Sequence, residues 1–156
     1  MPERRAVFVV NPASDGGRTG RTWPEMAASA RRHGLEVVER LTESAGHATE
    51  LAREAVAAGE ELVVAVGGDG TVNEVVNGFF DTAGTSLGGA AALGVIQRGT
   101  GCDFVRTFGI PKKIDRAVAT VVAGRRRRID IGRATCQGPT GQIGRASCRE
   151  RVSYSV

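Results

Sequence analysis

The sequence predicts an α/β domain in three layers, a parallel sheet between two sets of helices. Three observations carry this. Short apolar runs alternate with segments of about ten residues whose apolar positions fall at helical spacing, as in βαβ units. The runs 6–10 and 62–66 are apolar throughout, as strands buried on both faces must be. Glycine-bearing loops follow Val10, Val66 and Ile96, at the strand ends where such folds place ligands. A chain of 156 residues accommodates one domain.

Taken in order, 6–10 (Ala-Val-Phe-Val-Val) is the first strand and stops at the turn signal Asn11-Pro12. Residues 11–20 form a loop rich in Gly, Ser and Asp. Thr22 is read as the cap of a helix beginning near Pro24, with Trp23, Met26, Ala27 and Ala30 on its apolar side. Arg31 and Arg32 fall in its last turn and Gly34 ends it. Residues 35–41 are a second strand and 42–46 a loop. Residues 47–58 are a helix closed by Gly59. The strand 62–66 runs into a glycine turn, 67–71, and a helix over 72–79. A small-residue loop, 81–89, precedes a fourth strand, 90–96. Residues 98–107 read as loop, 115–123 as helix, and 128–131 as the start of one more strand.

Composition narrows the function. Hydrophobic residues, at 41%, suffice for a core, so a disordered chain is excluded. Aromatics, at 4%, are too few for base-stacking platforms, and no nucleic-acid motif accompanies the net charge of +4. Nucleic acid is therefore not expected as a partner. The excess charge lies in Arg125–Arg128 and in Arg145, Arg149 and Arg151, which suit an anionic partner or a solvated face. Cys102, Cys136 and Cys148 lack any CxxC spacing and read as free thiols. No apolar stretch reaches the ~18 residues of a membrane span. The expected location is cytoplasmic, with peripheral membrane contact, and a homodimer is left open.

The strongest chemical signal is Gly67-Gly68-Asp69-Gly70-Thr71-Val72-Asn73-Glu74-Val75-Val76-Asn77-Gly78. Gly67, Gly68 and Gly70 lack Cβ atoms, so phosphate oxygens can approach backbone N–H groups. The helix start beyond adds partial positive charge. Thr71 can cap that helix or donate to phosphate. Asp69 beside phosphates makes sense only with a metal ion, a water or a proton to accept. The run matches neither the P-loop nor the Rossmann pattern. His33 and His47 are isolated, and Trp23 reads as a packing residue.

Residues 67–78 resemble the GGDGTxNEVxNG signature of the diacylglycerol kinase catalytic domain, shared by bacterial lipid kinases and eukaryotic diacylglycerol, sphingosine and ceramide kinases. Asn11-Pro12-Ala13-Ser14 with Gly16 and Gly17 resembles that family's first loop. Thr42 with Gly46-His47-Ala48 resembles its nucleotide-reaching segment. Residues 99–104 resemble its GTxNDF loop, and 129–132 resemble the strand that leaves the domain. The resemblance spans about residues 5–133 and implies a fold like the nucleotide-binding halves of phosphofructokinase and NAD kinase. It also implies an ATP-dependent, Mg²⁺-dependent kinase that phosphorylates the hydroxyl of diacylglycerol or a similar lipid at a membrane surface. Carried onto this chain, Asn11 and Thr42 contact the nucleotide and Gly67, Gly68, Asp69, Gly70, Thr71, Val72 and Asn73 wrap its phosphates. Glu74 lies near the nucleoside, Gly99 and Thr100 close the other side, and Asp103 holds the loop or a metal-linked water. Asp69 is the catalytic candidate, in a supporting role. The general base and the acidic magnesium ligands are expected in a second, β-sandwich domain, so residues 1–156 alone are expected to be inactive, and no metal ligand is assigned within them.

There are departures. Gln97 stands where the family usually has Pro, and Cys102 where it has Asn, which removes an amide's paired donor and acceptor. Residues 1–133 are assigned to the catalytic domain. Residues 134–156 are expected to be an irregular tail, and 143–152 resemble translated adapter sequence, which suggests that the natural chain was cut near Thr140. A kinase of the NAD kinase or phosphofructokinase type and a non-catalytic nucleotide-binding module are the alternatives.

Overall fold

Seven residues, Arg4–Val10, form the first strand (β1), and the apolar run within it is entirely buried. The computed structural model describes residues 4–87, 89–101 and 103–132, and the backbone alone of 134–137, 143–146 and 150–155. A short 3₁₀ turn, Asp15–Gly17, leads into α1, Arg18–Arg32. Then follow β2 (Leu35–Leu41), α2 (His47–Ala57), β3 (Leu62–Gly67) and α3 (Asp69–Gly78). The order continues with β4 (Ala92–Gln97), α4 (Asp103–Phe108), α5 (Ile114–Ala123) and β5 (Arg126–Ile131). Three further strands are β6 (Ala134–Gln137), β7 (Ile143–Ala146) and β8 (Glu150–Ser155).

The expected three-layer architecture is present. The main sheet has the order β2-β1-β3-β4-β8-β5, and its first four strands are mutually parallel. Strand β8 runs parallel to β4 and antiparallel to β5. Alternation along each central strand divides the core in two. Phe8, Val10, Val64, Val66 and Ile96 face α1 and α5. Val7, Val9, Val63, Ala65 and Val95 face α2 and α3. Both faces of β3 and β4 are covered, which is why those sequences carry no polar alternation.

Five expectations are corrected. Helix α1 begins at Arg18, not near Pro24: Gly17, at φ 80°, starts it and Pro24 lies inside. Thr22 caps nothing; its hydroxyl donates back to the Arg18 carbonyl at 2.9 Å. Helix α3 begins at Asp69 rather than Val72, because Gly68 takes the extended conformation that opens a helix. Residues within 98–107 are not all loop: Asp103 starts α4, whose Phe104 and Phe108 rings pack at 4.7 Å, tilted by 50°. Residues 134–156, expected to be irregular, carry β6, β7 and β8. The C-terminal ends of α1 and α2 fall within a residue of expectation, ahead of Gly34 and Gly59, both with φ 84°.

Candidate functional site

The strand order reverses between β1 and β3. From β1 the chain steps out to β2, then returns to β3 on the other side. Such a switch point opens a crevice beyond the carboxyl ends of the two strands. Two loops meet there, 11–17 and 67–71, and Asn11 ties them together. Its backbone N–H donates to the Val66 carbonyl at 2.9 Å. Its Nδ2 donates to Thr71 Oγ1 at 3.1 Å, and its Oδ1 accepts the Ala13 N–H at 3.1 Å. Thr42 joins from β2, its N–H donating to the Val10 carbonyl at 2.9 Å.

The glycine turn is built for close approach. A Cβ on Gly67 would overlap the Thr71 side chain, so β3 passes directly beneath the first turn of α3. A Cβ on Gly99 would lie 3.0 Å from Gly68 Cα, so the loop after β4 packs against the glycine turn. Arg98 N–H donates to the Gly67 carbonyl at 2.6 Å and fixes that contact. Helix α3 has no side-chain cap, and first-turn N–H groups have no partner within a helix. The helix start therefore presents donors and the positive end of its dipole to the crevice.

Three cavities surround this turn. The first, about 400 Å³, is lined by Asn11, Thr42, Glu43, Gly70, Thr71 and Glu74 among others. The second, about 390 Å³, lies between Ser14, Asp15, Gly68, Asp69, Arg98 and Thr100. The third, about 480 Å³, has an apolar wall of Val72, Val76, Phe104, Phe108, Ile129 and Ile131 and a polar one that includes Asp69, Asn73, Asp103 and Asp130. Asp69 borders both the second and the third. Its Oδ1 accepts from Gln97 Nε2 at 3.2 Å. A Cβ on Gly101 would come within 2.5 Å of Oδ2, so the glycine there makes room for the carboxylate.

Residues 5–134 match the diacylglycerol kinase catalytic domain. The chain belongs to that family. It is 38% identical over 135 residues to a diacylglycerol kinase of Bacillus subtilis (strain 168), covering 86% of this chain and 43% of that protein. A diacylglycerol kinase of Staphylococcus saprophyticus is 33% identical, with 83% and 41% covered. A crystal structure of a diacylglycerol kinase from Bacillus anthracis str. Sterne aligns with a TM-score of 0.71 and 25% identity, over 90% of this chain and 45% of that one. This chain thus spans less than half the length of these diacylglycerol kinase relatives.

Against the diacylglycerol kinase pattern, the predicted residues separate into groups. Asn11, Thr42, Gly68, Gly70, Thr71 and Glu74 share the first cavity. Gly68, Asp69, Gly99 and Thr100 share the second. Gly67 lies behind the turn, where its missing Cβ leaves room for the Thr71 side chain. Val72 does not face the first two cavities: its side chain is buried and its N–H is taken by the Gly68 carbonyl at 3.0 Å. Asn73 and Asp103 lie with it on the apolar side, and Asp103 Oδ1 accepts from Arg106 at 3.4 Å. Cys102 lies outside the described residues.

Three neighbours escaped the sequence reading. Gln97 holds Asp69, and Arg98 pairs with Asp15 at 3.3 Å. The available signal was opposite charge in two loops that a parallel sheet brings to the same edge. His47 Nδ1 accepts the Glu43 N–H at 3.1 Å, a contact that ties the loop after β2 to the start of α2. Trp23 is a packing residue, as read: it is 5% exposed against Phe8.

Proposed function

We propose that this chain is the nucleotide-binding half of an ATP-dependent lipid kinase that phosphorylates the hydroxyl of diacylglycerol or a similar lipid. The position of Asp69 carries the reading. Its carboxylate stands between a cavity at the glycine turn and a cavity with an apolar wall. Phosphoryl transfer asks for this arrangement: donor phosphates on one side, an acceptor with an apolar body on the other, and charge control between them.

The residues fit the nucleotide. Cβ-free backbone at Gly68, Gly70 and Gly99, with the start of α3, suits an anion cradle, and Thr42 and Glu74 line the adjoining cavity. Among the described residues no three His, Cys, Asp or Glu side chains gather to hold a metal. When bound with ATP, Mg²⁺ would supply charge neutralisation at the phosphates. Asp69, whose carboxylate Gln97 holds in place, would be the residue to orient water or the metal's water shell. The base that takes the lipid proton is assigned to the part of the relatives' length that this chain does not match.

Calorimetric titration with ATP and Mg²⁺ tests the reading. Saturable binding by residues 1–156, without phosphorylation of diacylglycerol in mixed micelles, is the expected outcome. Absence of any nucleoside triphosphate binding refutes the nucleotide assignment. Lipid phosphorylation by these residues alone refutes the division of labour.

A further inference from the structure

We infer that Arg98 is a polyphosphate-binding residue restrained by Asp15, so that the nucleotide and Asp15 compete for one guanidinium. The inference rests on the reading that the crevice holds a nucleoside triphosphate, and it adds a residue and a control to that site.

The charges around the crevice are lopsided. Asp15, Glu43, Asp69 and Glu74 line the two cavities at the glycine turn. Arg98 is the one cationic side chain among the described residues lining them. A triphosphate entering this field meets a single fixed positive charge. That charge is engaged elsewhere: Arg98 Nη2 lies 3.3 Å from Asp15 Oδ2, and the two side chains are only 18% and 24% exposed.

The pairing is incomplete. A guanidinium offers five N–H donors in a planar fork and favours bidentate oxyanion partners. Here Arg98 Nε is buried without a hydrogen-bond partner. An unsatisfied buried donor raises the free energy of this arrangement. A phosphate oxygen pair can satisfy Nε and an Nη together, which the single contact to Asp15 does not.

Asp15 holds its position under strain. Among the described residues it is the only non-glycine with positive φ, at 54°. Asp and Asn tolerate this left-handed region better than most residues, at some cost. A charged side chain has therefore been accommodated in a strained turn at a place that faces Arg98. The backbone of Arg98 stays fixed through its bond to Gly67, so exchange of partners needs the side chain alone to move.

The test is the dependence of affinity on phosphate number. Binding of ATP, ADP, AMP and adenosine, each with Mg²⁺, is measured by calorimetry for the 156-residue chain and for R98Q, R98K and D15N. R98Q is expected to weaken ATP about tenfold, the weight of one charge-assisted contact, and to leave adenosine unchanged. R98K restores part of the loss, because lysine supplies the charge without the fork. D15N tightens ATP severalfold and leaves adenosine unchanged; Asn keeps the turn, so this arm stands even where R98Q fails to fold. Equal losses for all four ligands in R98Q overturn the inference. So does weaker ATP binding in D15N, which would make Asp15 a support for Arg98 rather than a competitor. A wild-type chain that binds none of the four refutes the crevice assignment itself, and this inference with it.

Discussion

Asn11 Nδ2 donates to Thr71 Oγ1 across 3.1 Å, and this bond joins the loop after β1 to the first turn of α3. Thr71 is 5% exposed, and its hydroxyl sits where a Cβ on Gly67 would collide. Threonine here is thus a structural clasp; it does not cap α3, which has no side-chain cap.

Replacing Thr71 by Val removes the acceptor while keeping the shape. The Asn11 amide is left unpaired in a partly buried place, at a cost of about 1–2 kcal/mol. Thr71→Ser keeps the hydroxyl and stays near wild type. Urea unfolding checks both; a Val variant as stable as wild type would deny the clasp.

Asp69→Asn separates charge from shape. The new side chain still offers an oxygen to Gln97 Nε2, so the melting temperature should hold. Affinity for ATP with Mg²⁺ falls by about tenfold, because one charge-assisted contact is lost. ATP without Mg²⁺ binds more tightly, since one negative charge near the phosphates has gone. Parallel titrations with and without the metal read the two signs, and a drop in both would mean that Asp69 acts through structure alone.

Gly78→Ala tests packing distant from the glycine turn. A Cβ there meets Ala52 Cβ at 2.5 Å, the Thr49 carbonyl at 2.7 Å and Arg53 N at 2.9 Å. Two of these are backbone atoms of α2, which cannot swing aside. Overpacking of this kind costs about 2 kcal/mol, or roughly 6 °C in Tm at about 3 °C per kcal/mol for a domain of this size. Differential scanning calorimetry gives the answer directly. An unchanged Tm would show that α2 and α3 can separate freely.

The turn after α3 carries a pH signature. Asp81 Oδ1 accepts the Thr85 N–H at 2.8 Å, and this bond is the main reason its carboxyl is held below the usual range. A carboxyl depressed in the folded state adds stability above its unfolded pKa, and the contribution disappears as pH falls through the lower folded value. The turn should therefore persist at pH 5 and loosen below the ordinary Asp value of 3.8. Carbon-detected titration of Asp81, followed with the Thr85 amide shift, measures this. A midpoint at or above 3.8 contradicts it.

Much of the fold was legible because its punctuation is local. Gly34 and Gly59 close helices at positive φ, and the runs in β1 and β3 are too apolar to be anything but central strands. Helix α1 was misjudged because Pro24 mimics a first-turn residue. Its start is set instead by the left-handed Gly17 and by Gly20, where a Cβ would press on Pro12 at 3.1 Å. Helix α4 is six residues long, with Phe104 packed on Phe108 one turn on, a pattern too short for periodicity to register. The site divided along similar lines. Glycines and the Asp69 position follow from the chemistry of a phosphate turn. The Asp15–Arg98 pair joins loops far apart in sequence, and only the strand order makes them neighbours.

The single tryptophan of the chain has a use of its own. Trp23 lies 5.4 Å from the Phe8 ring, and its Nε1 donates to Glu39 Oε2 at 2.6 Å, joining α1, β1 and β2. It borders none of the three cavities around the glycine turn. Its emission therefore serves as an internal gauge of whether the sheet and its outer helix are assembled, blind to occupancy of the crevice. Unfolding can be followed optically in the presence of nucleotide without a label, and any stabilisation seen that way is linkage between ligand and fold, free of direct quenching at the site.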